Sequence, residues 1–128
     1  NLRLLGPCDD ETLSQAYFAA DVHVFPVRDL PGDVEGFGMV AIEAAAHGLP
    51  TVAFAVGGVP DAVSPGRSGH LVQPGDYASF AQRTSQLLAA GRDTPLRASA
   101  REFAETFTWD IFAMRLRESL QARRQEES

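Results

Sequence analysis

The sequence predicts an α/β fold, a Rossmann-like parallel sheet with helices on both faces. Short apolar runs that suit buried strands alternate with longer stretches that carry a helical stripe of apolar side chains. This alternation is typical of βαβ units, in which the strands run parallel and helices cover the sheet. The chain has 128 residues, enough for one domain with a substantial core. We therefore expect residues 1–128 to form one unit built on a single sheet.

The first part of the chain predicts a strand, a helix and a second strand. Residues 1–5 suit a short strand that a Gly-Pro pair ends. Asp9 or Asp10 then offers the N-cap of a helix. Apolar side chains follow at the spacing of one helical face, at Leu13, Ala16, Tyr17 and Ala20. Residues 22–25 are apolar enough to predict a strand buried on both faces.

The middle of the chain predicts a second helix and a third strand. Residues 26–34 are polar and contain proline and glycine, which is typical of a loop. The next helix is expected from about Gly38 to His47, because Gly48 suits a C-cap and a proline lies just beyond. Residues 51–56 suit a third buried strand.

The last part of the chain is mostly helical in pattern. A short helix follows a glycine pair, and residues 70–73 suit one more strand. Three helices then end the chain, and we expect them to pack across the sheet. Their expected N-caps are Asp76, Thr94 and Thr108.

Composition excludes several classes of function. A net charge of -6 argues against a nucleic-acid surface, and no run approaches the roughly 20 apolar residues of a membrane span. The single cysteine and the absence of a visible signal peptide favour the cytoplasm. Arginines and glutamates are mixed on the last helix, which favours a solvated face over peripheral membrane attachment. The three histidines are far apart in sequence, so we expect neither a protein-bound metal nor another cofactor.

Two glycine-containing loops are the candidate ligand site. In parallel α/β sheets, ligands bind in the loops that follow the carboxyl ends of the strands. Residues 26–38 and 56–60 are such loops, and each leads into a helix whose N-terminus can bind phosphate. Gly36 and Gly38 leave the backbone open to a ligand. Neither loop matches a standard phosphate-binding motif, so the glycines alone are a weak signal.

Two carboxylates strengthen this interpretation. Glu43 lies in the otherwise apolar run of residues 37–46, and a helix that is apolar all round is expected to be buried. A buried carboxylate is costly unless it is hydrogen-bonded. At about 1.5 Å per helical residue, Phe37 to Glu43 spans roughly 9 Å, about the reach of a nucleoside diphosphate. Alternatively, Glu35 is a solvated acid near the helix start and Glu43 a salt-bridge partner; the two together favour a ligand.

The motif that these carboxylates define resembles a known family. Glu35-Gly36-Phe37-Gly38-Met39-Val40-Ala41-Ile42-Glu43 is similar to the E-x7-E motif of retaining GT-B glycosyltransferases, in particular glycosyltransferase family 4. Four further blocks resemble that family in the same order, at residues 20–26, 47–53, 57–61 and 69–76. The resemblance implies part of the C-terminal, donor-binding domain of a GT-B fold.

The resemblance also implies roles for individual residues. Glu35 would contact the donor-sugar hydroxyls as the catalytic residue, and Glu43 would hold the ribose hydroxyls. The amides that follow Gly36 would face the sugar and diphosphate, and Gly58 would lie close to the donor. The implied donor-binding residues are Glu35, Gly36, Phe37, Gly38, Met39, Glu43 and Gly58. Such enzymes typically need no metal held by the protein.

The resemblance covers only the later part of a donor domain. The N-terminal acceptor domain, and the basic residues that usually clamp the diphosphate, would belong to a longer protein, so we expect residues 1–128 alone not to transfer sugar. The implied substrate is a UDP- or GDP-sugar. The loop of residues 27–34 resembles that of phosphatidylinositol mannosyltransferases. Within it, Arg28 is equally well explained as a phosphate contact or as a solvated surface charge. A non-catalytic nucleotide-sugar-binding or regulatory module is the second hypothesis, and a GT-B epimerase the third.

Overall fold

The computed structural model describes residues 1–33 and 36–126, except for the side chains of residues 119, 120 and 122–126. The helices are α1 (Asp10–Ala19), α2 (Met39–Ala46), α3 (Val59–Ala62), α4 (Tyr77–Ala90), α5 (Pro95–Glu105) and α6 (Trp109–Glu126). The strands are β1 (His23–Phe25), β2 (Thr51–Phe54) and β3 (Gly69–Val72). Within these residues, no helix combines the length and the apolar character needed to cross a membrane.

The three described strands form one parallel sheet in the order β1-β2-β3. Val24 lies beside Val52, and Val52 lies beside His70, in adjacent strands. All four residues of the central strand β2 are buried. Helices connect the strands, as in βαβ units. The predicted Rossmann-like α/β fold is confirmed.

Helices cover both faces of this sheet. Successive side chains of β2 point to opposite faces, so Ala53 belongs to one core cluster while Val52 and Phe54 belong to another. The Ala53 cluster takes its other members from α2, α3 and α5 and the residue after α3: Ala41, Ile42, Val59, Ala62, Val63 and Phe103. Phe80 and Leu87 of α4 pack against the opposite cluster. Of the last three helices, α4 packs on the sheet, whereas α5 packs mainly against α2.

The strand predicted at residues 1–5 does not form. This segment pairs with neither edge of the described sheet, and the side chains of Leu2 and Leu4 are 88% and 85% exposed. Apolar residues that alternate in sequence make a strand only where a neighbouring strand accepts their backbone hydrogen bonds. The prediction for residues 1–5 was therefore wrong.

The strand β1 exists but is less buried than its sequence predicts. Val24 is 48% exposed, although it lies beside the fully buried Val52 on the same face of the sheet. The reason is that α4, which covers this face of the sheet, packs mainly over β2 and β3. The apolar character of residues 22–25 thus overstated the burial of β1.

Candidate functional site

The two glycine-containing loops meet at the carboxyl edge of the sheet. One loop joins β1 to α2 and the other joins β2 to α3. At Gly58, an added Cβ would lie 2.0 Å from the carbonyl oxygen of Gly36 and 3.0 Å from the Cα of Phe37. No side chain fits at that distance, so Gly58 is what allows the two backbones to touch. The structure thus brings together Gly36, Phe37 and Gly58, which the sequence had placed in one site.

Gly38 sets the start of α2. It is the N-cap residue, with φ +84° in the left-handed region that favours glycine. It is also buried, and an added Cβ would lie 3.1 Å from the Phe25 ring. The first turn of α2 holds no acidic residue, so no carboxylate of that turn offsets the partial positive charge at the helix N-terminus. A helix N-terminus favours an anionic group in general.

Phe37 and Met39 line an apolar cleft of about 550 Å³. The cleft lies between the start of α2 and the junction of α5 with α6, and the Phe37 ring is 5.6 Å from that of Phe107. Met39 is 59% exposed. A smaller cleft of about 330 Å³ lies among the β1–α2 loop, Phe54 and the start of α4, and the exposed Arg28 is part of its lining. The amides assigned to phosphate binding stay a prediction.

Glu43 is exposed, which corrects the expectation that it is buried. The helix α2 buries only one side, through Ala41, Ile42, Ala44 and Ala45. The small side chain of Ala46 and the larger ones of Met39 and Val40 remain exposed. An apolar run that includes many alanines therefore does not imply burial all round. The cost of burying Glu43 does not arise, and its functional assignment has to rest on other evidence.

A polar network that the sequence does not reveal surrounds Glu43. Tyr17 of α1 donates a hydrogen bond from Oη to Glu43 Oε2 at 3.2 Å. Burial raises the pKa of Tyr17 to about 12, and the Glu43 carboxylate adds to the rise. Nδ1 of His47 lies 2.7 Å from the carbonyl oxygen of Glu43, and Nε2 lies 2.9 Å from Ser14 Oγ. No motif joins residues of α1 to residues of α2, so only the folded chain reveals this network.

His23 is hydrogen-bonded within the sheet. Its Nδ1 lies 3.0 Å from Thr51 Oγ1 on the neighbouring strand. Burial lowers the pKa of His23 below its ordinary value, so the ring is mainly neutral at pH 7. Across residues 1–33 and 36–126, no group of three or more histidine, cysteine, aspartate or glutamate side chains converges as a metal site. The catalytic assignment falls on Glu35, which lies outside the described residues.

Comparison of the sequence with known proteins identifies a matching family and several relatives. The family described as glycosyl transferases group 1 matches residues 1–90. D-inositol 3-phosphate glycosyltransferase of Geodermatophilus obscurus is 45% identical over 109 residues, which are 85% of this chain and 23% of that protein. The protein of the same name from Thermomonospora curvata is 40% identical over 122 residues, 91% of this chain and 26% of that protein.

A solved structure is also similar to this chain. Sucrose-phosphate synthase from Thermosynechococcus elongatus superposes with a TM-score of 0.72 at 35% identity, covering 97% of this chain and 30% of that one. The chain spans about a quarter of the length of the curated relatives it matches. The family match covers well over half of the chain. The chain therefore belongs to the glycosyl transferases group 1 family.

Proposed function

We propose that this chain is the donor-binding part of a retaining GT-B glycosyltransferase of family 4. The full-length enzyme would transfer a sugar from a UDP- or GDP-sugar to an acceptor held by an N-terminal domain. Residues 1–128 would belong to the C-terminal domain. The observation that carries the proposal is the contact of Gly58 with the Gly36–Phe37 backbone, because it joins two strand-end loops beside one helix N-terminus.

The proposed chemistry depends on charge that develops as the donor breaks down. When the bond between the sugar and the diphosphate breaks, negative charge accumulates on the departing diphosphate. Fixed N–H groups and a helix N-terminus aimed at that charge stabilise the transition state more than the ground state. The start of α2, where Gly38 adopts its left-handed conformation, is the group proposed for this role. No step requires a metal held by the described residues.

Each carboxylate of the motif has a separate proposed role. Glu35 would contact the sugar hydroxyls at the reaction centre, where misplacement affects turnover. Glu43 would accept hydrogen bonds from the two ribose hydroxyls, since a carboxylate can accept from vicinal hydroxyls through both oxygens. Its exposure leaves it accessible to a ligand.

Kinetics of the full-length enzyme test this division of roles. Glu35→Gln should lower kcat about 100-fold, the size of effect that loss of one transition-state contact produces, while the Kd of the nucleoside diphosphate changes little. Glu43→Gln should instead weaken nucleotide binding. The anomeric configuration of the product, read by NMR, should match that of the donor. Near-normal turnover by Glu35→Gln, or an inverted product, would contradict the proposal.

A further inference from the structure

The contact between Tyr17 and Glu43 joins two helices that the sequence leaves unconnected. Tyr17 lies on α1 and Glu43 on α2, 26 residues apart. The Tyr17 side chain is 9% exposed, and it packs with Ala44 and Leu49 in a small core cluster. The Tyr17 ring is therefore buried, while its hydroxyl reaches the exposed Glu43 carboxylate. A donor fixed in this way can hold a surface carboxylate in one orientation.

The Tyr17 ring is itself held from two sides. It stacks on the His47 ring, with centroids 5.1 Å apart and planes 30° apart. The His23 ring meets it edge-on at 6.1 Å. Because Tyr17 is packed from two sides, its Oη has little freedom to follow a moving partner. The hydrogen bond therefore forms only when the Glu43 side chain is oriented toward Tyr17.

His47 links the backbone of Glu43 to α1 through two polar contacts. A carbonyl oxygen only accepts hydrogen bonds, so Nδ1 of His47 carries the proton that it donates to the Glu43 carbonyl at 2.7 Å. Nε2 faces the Ser14 hydroxyl of α1 at 2.9 Å. The main chain and the side chain of Glu43 are thus both fixed against α1.

We propose that Tyr17 is a positioning residue for nucleotide binding, which orients the Glu43 carboxylate toward the ribose hydroxyls of the donor. A carboxylate has about four lone-pair sites, and Tyr17 occupies one of them on Oε2. The remaining sites are free to accept from two vicinal hydroxyls. Orienting the carboxylate before the ligand arrives reduces the ordering cost of binding. This inference rests on the ribose-binding role proposed for Glu43.

The acidity of Tyr17 is consistent with this role. With its pKa raised to about 12 by burial and by Glu43, the phenol stays protonated over the neutral pH range. It therefore remains a donor to the carboxylate at neutral pH.

A comparison of two ligands in the full-length enzyme tests the inference. The probes are UDP and GDP and their dideoxyribose analogues, which lack both ribose hydroxyls. For the nucleotide that binds, wild type should favour the ribose form, and Tyr17→Phe should reduce this preference about fivefold to tenfold, within the usual net range for the loss of one hydrogen bond. Phenylalanine keeps the ring stacking, and circular dichroism checks the fold. Tyr77→Phe, at the other tyrosine and 60% exposed, is the matched control and should leave the preference unchanged.

Each result decides a different question. If Tyr17→Phe weakens both ligands equally, Tyr17 is merely structural and the inference fails. If Tyr17→Phe keeps the full ribose preference while Glu43→Gln abolishes it, the inference fails and the proposed function stands. If neither nucleotide binds to wild type, or Glu43→Gln leaves the preference intact, the ribose-binding role itself is wrong, and the inference falls with it.

Discussion

At Gly58, two backbones approach so closely that a single added carbon cannot fit. The Cβ of an alanine there would lie 2.0 Å from the carbonyl oxygen of Gly36. Gly36 itself has open space where its Cβ would go. The two glycines therefore stand in the same site for different reasons: one permits contact between the loops and the other leaves the surface accessible.

This difference predicts opposite outcomes for one substitution. Gly58→Ala should lower the free energy of unfolding by about 1–3 kcal/mol, because the loops must separate to admit the methyl group. Gly36→Ala should change it by less than about 0.5 kcal/mol. Urea denaturation of both variants measures the difference. Equal stability of the two variants would show that the contact at Gly58 is not tight.

The sequence could predict the glycines of the site but not the surroundings of Glu43. Gly36, Gly38 and Gly58 stand next to expected helix starts, and this local pattern is readable without a structure. The burial of Glu43 was predicted wrongly, because an apolar sequence does not say which side of a helix a neighbour covers. Its contact with Tyr17 spans 26 residues, and no local pattern encodes it.

At the scale of elements, some helix ends are capped by residues close in sequence and others by distant residues. The C-cap of α2 is His47, one residue before the predicted Gly48, and the helix ends in a Schellman motif: the Gly48 N–H donates to the Ala45 carbonyl and the Leu49 N–H donates to the Ala44 carbonyl. Asp76 and Thr108 accept backbone N–H bonds from their helices as predicted. Thr94 is the N-cap residue of α5 as predicted, although its side chain makes no capping hydrogen bond.

The end of α1 is closed by a residue that no local pattern could indicate. Arg92, in the turn after α4, donates to the carbonyls of Phe18, Ala19 and Ala20 and pairs with Asp21. These carbonyls belong to the last turn of α1 and its C-cap, and carbonyls there lack partners within the helix. A partner more than 70 residues away supplies the hydrogen bonds.

Removing this arginine should loosen α1 specifically. Arg92→Leu should cost about 1 kcal/mol of stability, since the guanidinium is partly exposed and water replaces some of its bonds. Relative to wild type, amide hydrogen exchange in Arg92→Leu should accelerate in α1 more than in α5. Arg83→Leu is the control, because its guanidinium bonds to the side chain of Gln86 on its own helix. Unchanged protection of α1 in Arg92→Leu would contradict this account of the helix end.

At the scale of the whole molecule, the fold class followed from the order of apolar runs and helical stripes. The sheet order β1-β2-β3 needs only short crossovers between successive parallel strands, which is the simplest result of repeated βαβ units. The sequence could not show which elements pack over or beside each strand. Burial of β1 depends on where α4 lies, and strand formation at residues 1–5 depends on a neighbouring strand.

We propose that the glycine loops and Glu43 form the donor site of a nucleotide-sugar-dependent transferase. The most direct test is calorimetric titration of the full-length enzyme with UDP, GDP and ADP, in wild type and in Glu43→Ala. Glu102→Ala, which removes an exposed carboxylate of α5, is the matched control. We expect saturable binding of UDP or GDP that Glu43→Ala abolishes and Glu102→Ala preserves. Failure of wild type to bind any of the three, or equal affinity in Glu43→Ala, would contradict the claim.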